Sequence, residues 1–294
     1  MIKANSKIIK DIIHALENVK NNTPLTHCIT NYVTINDCAN AVLAIGGSPM
    51  MADDPEEVEE FVEIADTLVI NIGKMSQSQI EAMIIGSKHG METNTPPIVL
   101  DPVAVGVTEL RNNLVLKLIN DSKIDVIRGN MSEIKAIARL VELDEILTLN
   151  KAKSKGVDVS EDDEITKTNL NNNGTIVKAL AKKLNIIIIA SGAIDIISNG
   201  NTTYACENGD PLMPKITGSG CMLTSIIGAF CGVNDSFIGG IAGTTIMGIA
   251  GELAGQEVEK ENSGTGTFRA NLVDYLYKID EQTIEEKIKL YKLE

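Results

Sequence analysis

Ile124-Asp125-Val126-Ile127-Arg128-Gly129-Asn130-Met131-Ser132-Glu133 is the stretch whose reading decides the fold. A short β-branched run gives way within three residues to a helix start. Asn130 or Ser132 can cap that helix, and Glu133 is well placed in its first turn. The helical period then carries through residues 132–141. The same pattern recurs on either side. Thr67-Leu68-Val69-Ile70 ends in Asn71-Ile72-Gly73 ahead of a helical stretch at 76–88. Pro97-Ile98-Val99-Leu100 ends in Asp101-Pro102 ahead of another at 109–122. Residues 175–184 are helical, and Ile186-Ile187-Ile188-Ile189-Ala190 ends in Ser191-Gly192. Such alternation predicts an α/β fold: a central, mostly parallel sheet flanked by helices on both faces, with the wholly apolar 186–190 strand at its centre.

The remaining segments fit one domain over residues 1–294. Ile8, Ile9, Ile12, Ile13, Leu16 and Val19 share one helical face in residues 6–19, and 36–45 reads as a second helix closed by Gly46-Gly47. The acidic run at 53–60 is a helix N-terminus with a solvated face, opening a helix through Ala65. Residues 141–173, with Asn171-Asn172-Asn173-Gly174, suggest a solvated helix and loop. Asn199-Gly200 marks a hairpin turn within 195–204. Residues 268–277 are amphipathic, and 283–293 read as a charged terminal helix.

Composition excludes several function classes. A net charge of −14 leaves no basic face for nucleic acid. The five cysteines (Cys28, Cys38, Cys206, Cys221, Cys231) are odd in number with no C-x-x-C pair, so neither a disulfide framework nor a zinc site is expected. The N-terminus has no apolar signal-peptide core, and a reducing cytoplasm is the simplest home. Residues 221–251 carry a single charge, Asp235, yet Gly232-Val233-Asn234-Asp235 divides them into segments of marginal length without flanking Lys or Arg. Two tightly packed core helices are expected there, not a membrane protein.

Polar residues end four successive strands: Asn71, Asp101, Arg128 and Ser191. In open α/β sheets ligands bind outside the carboxyl ends of the strands, so these residues should rim one crevice. Their chemistry suits phosphoryl transfer. Asp101 and Glu133 can hold Mg²⁺ directly or through water, and Arg128 can meet phosphate oxygens. In Lys215-Ile216-Thr217-Gly218-Ser219-Gly220-Cys221-Met222, Gly218 and Gly220 allow a sharp turn into an apolar helix. The N–H groups of that turn could donate to the charge on a transferring phosphoryl group. Neither a P-loop nor a G-x-G-x-x-G motif occurs. Cys28, Cys38, Cys206 and Cys231 lack a base partner and read as small core or surface residues.

The blocks His27-Cys28-Ile29-Thr30-Asn31-Tyr32-Val33, Gly46-Gly47-Ser48-Pro49-Met50-Met51, Asp101-Pro102-Val103 and Arg128-Gly129-Asn130-Met131-Ser132-Glu133 stand in order along the chain. Lys155-Gly156-Val157-Asp158, Thr217-Gly218-Ser219-Gly220-Cys221 and Gly264-Thr265-Gly266-Thr267-Phe268-Arg269 follow. Together they make the chain resemble the hydroxyethylthiazole kinases, thiamin-salvage enzymes of the ribokinase-like fold, over nearly its whole length. The resemblance implies ATP-dependent, Mg²⁺-assisted phosphorylation of the primary alcohol of 4-methyl-5-(2-hydroxyethyl)thiazole. It also implies a homotrimer with active sites at subunit contacts. By the same resemblance Met51 and Gly218 touch the thiazole with Asn31 nearby, Arg128 and Ser191 contact ATP, and Asp101 and Glu133 handle Mg²⁺. Ser191 stands where the family usually has Thr, which keeps the hydroxyl. Cys221 stands where ribokinase-type sugar kinases carry an Asp general base. A thiol is mostly protonated near neutrality, so the resemblance puts more weight on the Gly218–Gly220 turn, the metal and positioning. The rival readings are a pyrimidine or pyridoxal kinase of the same clan and a non-catalytic nucleotide-binding regulator.

Overall fold

The computed structural model of the chain describes residues 1–92, 96–151 and 164–293. Strand β1 (Ile2–Lys3) and helix α1 (Ser6–Asn22) lead into β2 (Leu25–Ile29), α2 (Ile35–Ala44), β3 (Ser48–Met50) and α3 (Val58–Ile64). The expected alternation follows with β4 (Thr67–Asn71), α4 (Gln77–Glu92), β5 (Ile98–Asp101), α5 (Glu109–Asp121), β6 (Val126–Asn130) and α6 (Met131–Leu140). Next come α7 (Asp144–Lys151), α8 (Leu170–Leu184), β7 (Ile187–Ser191), and the hairpin strands β8 (Asp195–Ser198) and β9 (Thr203–Cys206). The chain closes with α9 (Ser219–Cys231), α10 (Ser236–Glu261), α11 (Thr265–Lys278), α12 (Glu281–Lys287) and β10 (Leu290–Leu293).

The ten strands among the described residues form one sheet, in the order β1-β10-β9-β8-β7-β6-β5-β4-β2-β3. The run from β7 to β3 is parallel, and β8, β9, β10 and β1 extend it antiparallel. Strand residues alternate between two cores because successive side chains point to opposite faces. Val69, Val99, Val126, Ile189 and Ile197 join one core with α1, α2, α9, α10, α11 and α12. Their neighbours Leu68, Leu100, Ile127, Ile188 and Ile196 join the other with α3 to α8. Strand β7 lies mid-sheet, as its unbroken apolar run requires.

Helix α9 lies close against the sheet. A Cβ on Gly228 would come within 2.3 Å of Val69 Cγ2, so any side chain there would push the helix off β4. Helix α10 is long and apolar enough to cross a membrane, yet 83% of its apolar window is buried. Asp235 starts it by accepting the N–H groups of Phe237 and Ile238, which explains the single charge in the apolar stretch.

Three expectations need correction. The terminal segment is not a continuous helix: α12 ends at Lys287, and residues 290–293 pair with β9. Leu290 and Leu293 would share a helical face at that spacing, but as strand residues they enter opposite cores. The run Asn171-Asn172-Asn173-Gly174 is not a loop but the first turn of α8. Asn173 is buried and donates to Asn169 Oδ1 at 3.1 Å, so tertiary burial overrides weak helix propensity. Helix α3 begins only at Val58, because Asp54 Oδ1 accepts the Glu56 N–H and holds the acidic run in a turn. Lys155-Gly156-Val157-Asp158 lies outside the described residues.

Candidate active site

Parallel register aligns the expected site residues along one sheet edge. Asn71 pairs with Asp101 across β4 and β5, and Asn130 pairs with Ser191 across β6 and β7. Asn31 follows the end of β2, and Met51 follows β3, one strand further out. In sheet order the edge reads Ser191, Arg128, Asp101, Asn71, Asn31, Met51. Helix α9 lays its first turn against the middle of that row.

Asp101 is 1% exposed, and its Oδ2 accepts from Asn71 Nδ2 and from Thr224 Oγ1, both at 2.8 Å. Burial foremost pushes its carboxyl up to about 6; the Arg128 guanidinium pulls it back and the Glu133 charge adds to the rise. Arg128 Nη1 stands 3.8 Å from that oxygen, while Arg128 Nε donates to Ser191 Oγ at 3.0 Å. Arg128 and Ser191, both expected on ATP, are thus one hydrogen-bonded unit. Thr224 was not foreseen; its signal was its place three residues after Cys221, on the same face of α9.

Gly218 caps α9 with φ +86, a left-handed conformation that disfavours side chains, and a Cβ there would lie 2.6 Å from Thr34 Cγ2. The first helical bond runs from Met222 N–H to the Gly218 carbonyl, so the N–H groups of Ser219, Gly220 and Cys221 precede it. Gly220 faces the guanidinium: a Cβ would come within 2.7 Å of Arg128 Nη1. Gly220→Ala should displace Arg128 and raise the KM for ATP about tenfold or more, the scale of losing one charge-assisted contact. Steady-state kinetics against the nucleotide checks this, and an unchanged KM would mean that Arg128 does not touch it.

Cys221 Sγ, half-buried, receives Nδ2 of Asn71 at 3.2 Å and Nδ2 of Asn31 at 3.5 Å. Burial and then the Asp101 charge push its thiol up, against the weaker opposing hydrogen bonds from Thr34, Asn31 and Asn71. Cys221 therefore stays a neutral thiol at pH 7. Iodoacetamide should label it slowly at pH 7 and faster as pH rises above 9, with labelling read by peptide mass spectrometry. Rapid labelling at pH 7 would contradict this geometry. Cys28, Cys38, Cys206 and Cys231 are buried, as expected of core thiols.

Glu133 closes a capping box on α6, with Oε2 accepting the Asn130 N–H at 2.7 Å. Its Oε1 accepts the Ala104 N–H at 2.8 Å, so each oxygen already holds a main-chain donor. Among the described residues no group of three acidic, His or Cys side chains gathers around a point that could hold a metal. Asp101, whose two hydrogen bonds fall on a single oxygen, is the better placed of the two carboxylates for direct contact with a cation.

A cavity of about 620 Å³ opens beside Arg128, Ser191 and Gly220, and runs past Asp195 to Thr244 and Met247 of α10. Asp195 was missed by sequence reasoning. It is buried, accepts the Gly192 N–H at 2.9 Å, and is pushed up to about 6, chiefly by burial. A cavity of about 600 Å³ at the opposite sheet edge, by Ile124 and Ile186, carries none of these groups. His27 is fully buried, with Nε2 donating to the Ala52 carbonyl at 2.8 Å and burial lowering its pKa, which is a structural role. Asp53 departs from the expected solvated face, accepting from Tyr32 and from Gln79 Nε2 at 2.9 Å. Arg269 of the late glycine block pairs with Asp37 of α2, next to the Gly218 turn.

The model of the hydroxyethylthiazole kinase family matches residues 16–282. The chain is 56% identical over 279 residues to hydroxyethylthiazole kinase 2 of Methanosphaera stadtmanae, covering 95% of this chain and 97% of the relative. The solved structure of a hydroxyethylthiazole kinase from Pyrococcus horikoshii OT3 superposes with a TM-score of 0.81 at 33% identity, over 97% of this chain and all of that one. A ribokinase-like superfamily protein from Enterococcus faecalis shares the fold at a TM-score of 0.54 and 13% identity, over 89% of each chain. The fold is therefore ribokinase-like, and by its match to the family and its identity to these relatives the chain belongs to the hydroxyethylthiazole kinase family.

Proposed function

We propose that the chain transfers the γ-phosphoryl group of ATP to the hydroxyethyl oxygen of 4-methyl-5-(2-hydroxyethyl)thiazole. The observation that carries this reading is the row of residues along the sheet edge. Arg128, Ser191 and the adjoining cavity lie at one end, Asn31 and Met51 at the other, and Asp101 lies between them under the Gly218–Gly220 turn. A donor held at the first end and an acceptor alcohol at the second would meet at α9's first turn.

In the reaction the alcohol oxygen forms a bond to the γ-phosphorus as the bond to the β-phosphate oxygen breaks, and the alcohol proton is released. Arg128, oriented by Ser191, binds phosphate oxygens; the N–H groups of Ser219 and Gly220 take the charge on the moving phosphoryl group. Asn31 and Met51, with Gly218, hold the thiazole. Asp101 and Glu133 would hold Mg²⁺, a hard cation that takes one or two protein carboxylates. The ion would supply charge neutralisation at the phosphates. Cys221 shapes the acceptor site and is a weak proton acceptor, being a neutral thiol.

We further infer a cytoplasmic homotrimer whose sites lie at subunit contacts. Tyr32 and Val33 directly follow Asn31 and are 54% and 60% exposed, which supports a partner surface at the acceptor end. Purified protein with ATP, Mg²⁺ and thiazole, pyrimidine, pyridoxal and sugar alcohols tests the activity. Product from pyridoxal or a sugar, and none from the thiazole, would sink the assignment. Sedimentation equilibrium tests the trimer.

A further inference from the structure

The amides of Asn31 and Asn71 form a hydrogen-bonded chain with one direction. The Val33 N–H donates to Asn31 Oδ1 at 3.1 Å, and Asn31 Nδ2 donates to Asn71 Oδ1 at 3.0 Å. Asn71 Nδ2 then donates to Asp101 Oδ2 at 2.8 Å. The direction is forced at both ends. The Asp101 carboxylate can only accept, and the Gly73 N–H donates to Asn71 Oδ1 at 2.9 Å. Each amide nitrogen has one hydrogen left, and both of these point to Cys221 Sγ. The sulfur is thereby presented as an acceptor, with its own S–H turned away from both amides. Asn71 is 1% exposed and has both lone pairs and both N–H groups engaged. Through these bonds it joins Asn31, Cys221 and Asp101.

We propose that Asn71 is a positioning residue: it sets the acceptor-side pair Asn31 and Cys221 in register with Asp101, so that the alcohol oxygen and the phosphoryl group meet in line. The inference rests on the kinase reading and deepens it. Asn71 acts through its neighbours and need not touch substrate. A sub-ångström error in Cys221 or Asp101 would lower turnover while leaving the nucleotide end at Arg128 and Ser191 intact.

The test is a double-mutant cycle with position 221. Asn71→Ala should lower kcat about fiftyfold, within the range that misplacement costs, with the KM for ATP unchanged within about threefold. In a Cys221→Asp background the same substitution should cost at least about five times more, because an N–H bonded to a carboxylate is stronger than one bonded to sulfur. A merely structural residue would cost the same factor in both backgrounds. Equal losses, or a loss confined to the KM for ATP, would overturn the proposal. Asn71→Leu, close to Asn in size and without its N–H donors, takes the place of Asn71→Ala in the cycle if that variant fails to fold. If the wild-type chain phosphorylates no thiazole alcohol, the kinase reading fails, and Asn71 is then judged by alkylation of Cys221 at pH 8. Loss of its N–H donor should slow labelling about fivefold, whereas unchanged or faster labelling would rule out the positioning role.

Discussion

Asp101→Asn is expected to lower phosphoryl transfer by about a thousandfold or more while making the folded protein more stable at pH 8. The activity loss follows from position. Asp101 is the carboxylate at the centre of the row, beneath the α9 turn and 3.8 Å from Arg128 Nη1. The stability gain follows from its burial. Its carboxyl sits at about 6 in the folded chain, above the ordinary carboxylate range, so the ionised form is disfavoured inside the protein. Above pH 6 the native state therefore carries a strained charge that the unfolded state does not. The difference corresponds to on the order of 3 kcal/mol. Asn keeps an oxygen for Asn71 and Thr224 and removes that charge. The advantage should be full above pH 6, shrink as pH falls from 6 towards 4, and vanish below that. Paired denaturant titrations at pH 8 and pH 4, beside steady-state rates, check both halves. A variant less stable than wild type at pH 8 would show that the charge is better compensated than its burial implies.

Cys221→Asp should retain or raise turnover, up to about tenfold, whereas Cys221→Ala should lose about tenfold and not abolish it. Two amide N–H groups already converge on position 221 and would serve a carboxylate better than they serve sulfur. The neighbouring Asp101 charge, which helps push the thiol up, would push a new carboxyl up as well. That moves it towards neutrality, where a general base works best. The Ala variant keeps the α9 turn, Arg128 and Asp101, which carry most of the catalysis on this reading. Turnover measured across pH 6–9 for both variants decides the matter. If Cys221→Ala abolished phosphorylation with the fold intact, the thiol would be doing chemistry of its own.

What was legible in the sequence was the periodic part. Each of Asn71, Asp101 and Ser191 ends an apolar strand, and Arg128 comes two residues before an end, so one sheet edge had to collect them. Distances across the chain were not legible. Glu133 was expected on the metal as a carboxylate with hard oxygen ligands; that both its oxygens take main-chain N–H groups depends on Ala104, distant in sequence. Asp195 was missed because a carboxylate starting a hairpin strand looks like an ordinary surface residue until β7 and α10 bury it. The final strand was hidden for a related reason: Leu290 and Leu293 satisfy helical spacing as readily as they satisfy two cores on either side of a sheet. Local pattern cannot choose between those until β9 is present to pair with it.

The two outermost strands are also the shortest, two residues in β1 and three in β3. Proline 49 sits in the middle of β3 and removes one of the few N–H groups that edge could offer. A ten-stranded sheet is a large template for unwanted pairing, and both of its open margins are blunted. Both margins therefore disfavour strand addition between copies of this chain. The exposed Tyr32 and Val33 lie just beyond the sheet, past the end of β2.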